Sequence, residues 1–217
     1  MVGDEVLEPG WQSYGHRIAY RVSDVGSLLT LGRNLIEAEV AAGWYAGRLG
    51  FFEQREIYGS DLAVLAQLDA QMDGQWAPLV WTDSSWTWRS GPTLDAELYD
   101  GETYDARRAD LPAGEPGLPV DLIPVSTEKL EQRLGPPVRR TETVPPVQIF
   151  RSATGRVLVD FGRNLVGWVR IRVSGAAGQE IVLRHAEVLE GGELGTRPLR
   201  TAQATDRYIL SGVGEET

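Results

Sequence analysis

Leu62-Ala-Val-Leu-Ala-Gln-Leu-Asp69, followed by Asp73-Gly74 and then Trp76-Ala-Pro-Leu-Val-Trp-Thr82, is the stretch on which the fold class turns. Two apolar runs flank an Asp-Gly pair, the residue types that accept the left-handed backbone of a two-residue hairpin turn. Valine, threonine and tryptophan suit a pleated surface. The same texture continues in both directions. Short runs at 17–22, 34–41, 147–151, 157–161, 166–173, 180–187 and 206–210 read as further strands, set apart by Gly, Pro, Asn or Asp. Within one of them, Trp168-Val-Arg-Ile-Arg-Val173 alternates. Val169, Ile171 and Val173 then share one face and Arg170 and Arg172 the other, a half-buried antiparallel strand. Helical periodicity is scarce, with single turns expected at 23–29 and near 127–134. The expectation is an all-β chain built as two antiparallel β-sandwich, jelly-roll-like domains.

The domain boundaries follow from composition. Residues 1–108 read as a first, carbohydrate-binding-like sandwich. Leu111-Pro-Ala-Gly-Glu-Pro-Gly-Leu-Pro119 and Gly135-Pro136-Pro137 mark 109–137 as a linker. Residues 138–217 read as a second sandwich. That second region offers about five strands where roughly seven close a sandwich, so it is expected to be truncated at its C-terminal end. The first region begins abruptly at Gly3-Asp4 and Trp11, and is expected to be incomplete as well.

Composition narrows the function classes. The 217 residues are 42% hydrophobic and 24% charged, with 31 acidic against 21 basic side chains and a net charge of −10. Such a chain gains no counterion release from a nucleic acid and is repelled by an anionic membrane surface, so neither is an expected partner. A neutral ligand fits the balance. The chain has no cysteine and 2 histidines, which excludes disulfides and thiolate metal sites. Calcium, held by carboxylate and carbonyl oxygens, stays open. No apolar run reaches the roughly 20 residues of a membrane span. Met-Val-Gly-Asp-Glu-Val-Leu at the start lacks the basic opening and apolar core of a signal peptide, and no compartment is assigned.

The densest chemistry lies at Leu98-Tyr-Asp-Gly-Glu-Thr-Tyr-Asp-Ala-Arg107. A solvated loop has no need of two phenols, and a buried strand rarely tolerates Glu102 and Asp105. Carboxylates accept hydroxyl hydrogen bonds and rings cover apolar sugar faces, so the segment suits a polyhydroxylated ligand. Glu102 and Asp105 have two further readings: a salt bridge with Arg107 or Arg48, and a general acid and base. Trp44 and Tyr45, after Gly43, read either as a sugar-stacking platform or as core aromatics at a bend. His185 and Glu187, on alternate strand positions, read as a hydrogen-bonded couple on one face. Trp76, Trp81, Trp86 and Trp88 are assigned to core packing.

Several motifs in sequence order carry a family resemblance. In the first region these are Gly10-Trp11 with Tyr14, Gly43-Trp44-Tyr45 with Gly47, Tyr58-Gly59, Thr82-Asp83-Ser84-Ser85-Trp86, Gly91-Pro92 and the Tyr99–Arg107 run. In the second they are Asp160-Phe161-Gly162-Arg163-Asn164, His185-Ala186-Glu187-Val188-Leu189, Gly192-Glu193-Leu194 and Ala204-Thr205-Asp206 with Tyr208. Together they resemble the bacterial α-L-rhamnosidases of glycoside hydrolase family 78, over nearly the whole chain. The resemblance implies an N-terminal β-sandwich module, the start of a concanavalin-like β-domain, and, in the family, a helical-toroid catalytic domain that carries the catalytic carboxylates. Nothing here corresponds to that domain. The chain is therefore expected to be a non-catalytic accessory fragment whose partners are L-rhamnose or a rhamnosylated glycan and the missing helical domain. The carbohydrate-binding residues expected are Trp44, Tyr45, Tyr58, Glu102 and Asp105. The resemblance also raises a calcium ion in the first module, but Ala42 stands where many relatives have Asp or Asn and offers no oxygen side chain.

Overall fold

The computed structural model describes residues 2–50, 52–109, 117–124 and 126–217. The strands in the first half are β1 (Glu5–Val6), β2 (Ile18–Tyr20), β3 (Gln67–Met72), β4 (Gln75–Trp81), β5 (Thr87–Trp88), β6 (Thr93–Glu97), β7 (Gly101–Asp105) and β8 (Leu118–Pro119). Those in the second half are β9 (Leu130–Gln132), β10 (Val138–Arg139), β11 (Gln148–Arg151), β12 (Val157–Asp160), β13 (Glu180–Arg184), β14 (Val188–Glu190), β15 (Glu193–Gly195) and β16 (Thr205–Ile209). Among the described residues helix is confined to single 3-10 turns, two of them at Gly26–Leu28 and Thr127–Lys129, where turns were expected. The chain is all-β, and most of its strand pairs are antiparallel.

The organising element is a four-stranded sheet in the order β13-β16-β7-β6. β6 and β7 are antiparallel across the turn at residues 98–100, and β13 and β16 are antiparallel in turn. The two pairs join where β16 runs parallel to β7, with Arg207, Tyr208 and Ile209 opposite Thr103, Tyr104 and Asp105. Strands from residues 93–105 and from 180–209 thus share one sheet. Neighbouring side chains reinforce the seam, since the rings of Tyr104 and Tyr208 stack with centroids 5.5 Å apart and planes 6° from parallel. Leu210, wholly buried, plugs the end of β16. Glu216 holds the following turn, its carboxylate accepting from the Ser211 and Gly212 amides and the Tyr208 hydroxyl.

This sheet corrects the reading of residues 98–107. The segment is a tight turn followed by an inner strand. The Asp105 charge is met by Arg107 and the Glu102 amide by Asp206, while the Glu102 carboxylate lies beside like charges.

The β3–β4 hairpin turns on Asp73 and Gly74, both at positive φ (50° and 79°), as the dipeptide predicts. A register shift at Leu68/Asp69 lies opposite Pro78, which has no N–H to give the ladder. At the other end of this region, β1 pairs antiparallel with β10 and β2 pairs parallel with β9. Ion pairs lock that return: Arg133 to Glu5 at 2.6 Å and Arg139 to Glu5 at 2.7 Å. The Arg133 hydrogen bond holds the Glu5 carboxyl down at about 2. The segment expected as a linker therefore carries β8 and β9, paired with β5 and β2. Most of its proline-glycine cluster, residues 110–116, lies outside the described residues.

Three strand expectations need correction. Residues 34–41 form no strand, because Asn34 draws the chain into a local loop, donating to the Thr30 and Gly32 carbonyls. Residues 166–172 join no ladder, and only Val173 bridges, to Glu216. The burial alternation there still holds, with Val169, Ile171 and Val173 half-buried and both arginines exposed. The strand at 180–187 stops at Arg184, so His185 and Glu187 do not form a couple; His185 turns to Asp206 instead.

The core is thin. Ala106, Leu158 and Leu210 are its buried apolar side chains among the described residues. Trp76, Trp81 and Trp88, expected inside, are 72%, 51% and 51% exposed, because two-stranded ribbons have no second layer to cover them. The accessible surface is 16447 Å², against about 9,900 Å² for a compact 23.9 kDa monomer.

Gly101, at φ +106°, sits where an added Cβ would lie 2.3 Å from the Thr205 carbonyl oxygen. Gly101→Ala is expected to pry β7 from β16 and cost about 2–3 kcal/mol, read as a lower urea midpoint. An unchanged midpoint would show that this close approach is not needed for folding.

Candidate functional site

The aromatic residues gather around a tyrosine that sequence reasoning did not select for the site. Gly43 opens a turn at φ +47°, donating its amide to the Ala96 carbonyl on β6, and so projects Trp44 and Tyr45 from the sheet edge. Tyr14 meets Tyr45 edge-on at 5.5 Å and Tyr58 edge-on at 5.0 Å. The Trp11 indole donates to the Tyr58 hydroxyl at 3.2 Å, and Tyr14 donates to the Gly10 carbonyl at 2.7 Å. Burial, with Tyr58 adding to it, pushes the Tyr14 phenol up to about 12. Gly59 is required by the packing: a Cβ there would lie 2.3 Å from the Tyr45 hydroxyl. Trp44, Tyr45 and Tyr58 are all half-buried, so this aromatic platform is neither wholly enclosed nor open surface.

Glu102 and Asp105 do not converge on that platform or on each other. They are three residues apart on β7, and strand alternation sends them to opposite faces. Asp105 is 4% exposed and caps the following turn, gripped by Arg107 through both carboxylate oxygens at 2.8 and 2.9 Å. That bond holds its carboxyl below the usual range. Of the three readings of Asp105, the salt bridge with Arg107 is the one the geometry realises. Glu102 lies beside Asp206 and Glu39, and burial, then these two charges, raise its carboxyl. Asp206 is lowered chiefly by its hydrogen bond with His185, Nε2 to Oδ2 at 2.8 Å.

A third cluster forms around Arg48, which the sequence offers as a partner of Glu102 or Asp105 and which pairs with Asp100 instead. Arg48, 5% exposed, donates to the Asp100 carboxylate at 2.8 Å and to the Thr201 carbonyl at 2.9 Å, and also bonds the Thr201 hydroxyl. Arg55 pairs with Asp100 at 2.9 Å and with the buried Glu97. The Gly43–Gly50 turn, the β6–β7 turn and the segment before β16 are thereby tied together. Gly47, adjacent in the sequence, marks a tight approach but not the burial of a guanidinium.

The residues do not fit a calcium ion. No three His, Asp or Glu side chains gather closely enough to hold a metal among the described residues. Ala42 has only its carbonyl to offer, and that already accepts from the Ala46 and Gly47 amides.

Two family profiles match in tandem: the alpha-L-rhamnosidase N-terminal domain over residues 1–142 and the bacterial alpha-L-rhamnosidase concanavalin-like domain over residues 150–217. The chain belongs to the bacterial α-L-rhamnosidase family. Among that family's members, an alpha-L-rhamnosidase of Streptomyces avermitilis is 39% identical over 225 residues, covering 100% of this chain and 22% of the relative. One from an Alteromonas strain is 30% identical, covering 100% and 25%. The crystal structure of a native rhamnosidase from Aspergillus terreus superposes with TM-score 0.88 at 41% identity, covering 99% of this chain and 26% of that one. The Streptomyces avermitilis enzyme complexed with L-rhamnose gives 0.86 at 37%, covering 99% and 22%. The chain thus spans about a quarter of the rhamnosidases it matches.

Two outcomes test this geometry. Arg48→Met leaves Asp100 without its nearest partner in a mostly buried site, and is expected to lower unfolding free energy by about 3 kcal/mol in urea titrations. Glu102→Gln works in the other direction. Because the folded pKa is raised, ionised Glu102 costs stability, which falls as pH climbs above the ordinary value of 4.5. The glutamine variant should therefore outlast the parent chain at pH 7 and lose that advantage below pH 4.5.

Proposed function

We propose that this chain is a non-catalytic accessory portion of an α-L-rhamnosidase, the enzyme class that hydrolyses terminal α-L-rhamnosides, and that its aromatic platform recognises rhamnose. The observation that carries the reading is the Tyr14-centred cluster, which holds Tyr45 and Tyr58 half-buried, with Tyr45 and its sequence neighbour Trp44 on the turn fixed to the central sheet. A rhamnose ring offers an apolar face and a methyl group to such rings, while the Tyr45 hydroxyl and nearby carbonyls suit its hydroxyls. Chemistry of its own is disfavoured by the carboxylates. Asp105 is committed to Arg107, and Glu102 faces away from it, so the pair does not flank a common bond.

A second reading rests on a different observation. The accessible surface far exceeds that of a compact monomer and carries Trp76, Trp81, Leu79 and Ile149 in the open. Such a surface suits a bracing role against the helical catalytic domain expected in the family, with no sugar bound.

Titration calorimetry with L-rhamnose separates the two. The recognition reading expects binding on the order of 1 mM, lost in Trp44→Ala and absent with D-glucose. Heat equal to buffer at saturating sugar leaves the bracing role alone. Release of chromophore from an aryl α-L-rhamnoside by the chain itself would sink the non-catalytic assignment.

A further inference from the structure

The face of the central sheet that carries Thr205 and Arg207 holds an open depression of about 380 Å³, lined by none of the platform's residues. The β13–β16 register sets Val182 opposite Arg207 and Arg184 opposite Thr205, which makes its floor. Arg200 and Gln203 close one side. Three guanidinium groups and no carboxylate line it, in a chain whose net charge is −10. Arg207 shares its charge with Glu180 at 3.0 Å. Arg184 has no ion pair among the described residues. Arg200 is held at φ 57° and ψ −107°, a conformation costly for a side-chain-bearing residue. Its neighbour Thr201 is fixed by Arg48, so the fold sustains that geometry.

A second depression of about 180 Å³ adjoins the first through Gln203, Thr205 and Arg207. It adds Arg55, Asp95, Asp100 and Thr103. Asp100 is already held by Arg48 and Arg55, which leaves Asp95 and Thr103 to bond hydroxyls. The arrangement sets a guanidinium lobe for an anion beside a lobe with neutral and acidic acceptors. An acidic peptide would meet Asp95 with like charge, whereas a sugar bearing one oxyanion would turn its hydroxyls to it.

We propose that this face binds a sugar carrying an oxyanion, a carboxylate or a sulfate ester, seated among Arg184, Arg200 and Arg207. The site goes beyond rhamnose recognition and stands without it. Guanidinium is the group of choice for planar, charge-assisted recognition of such anions.

The test is calorimetry of the 217-residue chain with D-glucuronate, D-glucose 6-sulfate, D-glucose and inorganic sulfate. Binding of one or both charged sugars, with none for glucose, is the expected result, and the two arms tell carboxylate from sulfate. Arg184→Ala should weaken it about tenfold, the loss of one charge-assisted hydrogen bond, while Arg184→Lys keeps part of it. Raising the salt concentration should weaken it too. Trp44→Ala should leave it unchanged, which separates this site from the aromatic platform. As an exposed strand residue, Arg184 should change without a shift in melting temperature. Glucose binding as well as glucuronate overturns the proposal. So does inorganic sulfate as tight as the sugars, binding only of a glutamate-rich peptide, or no heat from any ligand.

Discussion

A single guanidinium sets the geometry on which the candidate sites depend. Arg48 reaches the Asp100 carboxylate on the β6–β7 turn and both oxygens of Thr201, residues far apart in the chain. Taking a charge out of water is expensive unless it is paired and hydrogen-bonded, so Arg48 stays buried only while all these partners are in place. The consequence is directional. With Asp100 and Thr201 fixed, the Thr205 amide meets the Asp100 carbonyl and the Ala204 amide meets the Tyr99 carbonyl. Those two bonds lead straight into the parallel ladder of β7 and β16, so the buried charge sets the register of the central sheet.

That register then divides the chemistry. Strand alternation sends Glu102, Tyr104, Asp206 and Tyr208 to one face and Thr103, Asp105, Thr205 and Arg207 to the other. One face gathers stacked rings and the His185–Asp206 pair. The opposite face gathers the guanidinium-lined depression. The platform at Trp44 and Tyr45 hangs from the edge of the same sheet through the Gly43 amide. Three chemically distinct surfaces therefore owe their positions to one pairing, which explains how a chain with so little buried apolar volume keeps its polar groups ordered.

The sequence made the local features legible and hid the long-range ones. Asp73-Gly74 announced its hairpin because the turn's backbone demand is met by those two residues alone. The strands at β11, β12 and β16 followed from alternation for the same reason. β7 escaped because charge density argued against a strand, and the Asp206 carboxylate that accepts from the Glu102 amide is visible only once the fold brings it near. In the platform, Tyr45 and Tyr58 were selected but Tyr14, the ring that joins them, was not, since edge-on packing between residues so distant leaves no periodic trace. Glu102 and Asp105 looked like a pair because they are neighbours in sequence. An odd spacing on a strand separates them, a fact available from the sequence only after the segment is known to be extended.

The exposed apolar surface bears on what such a sheet is for. Hydrophobic burial is the main favourable contribution to folding, at about 25 cal/mol per Å². Here Trp76 on β4, Trp88 on β5 and Ile149 on β11 keep most of that contribution unrealised, on ribbons of two strands. The ordered parts are instead those where charge pairs and ladders close on themselves: the N-terminal return at Glu5, the Arg48 junction and the Glu216 turn. A chain so built has its specificity in the polar seam and its unspent stabilisation on the outside. That distribution is the observation on which the proposed bracing role rests. It also keeps the platform and the depression at the central sheet, where their shape is held by the seam and does not wait on whatever covers the ribbons.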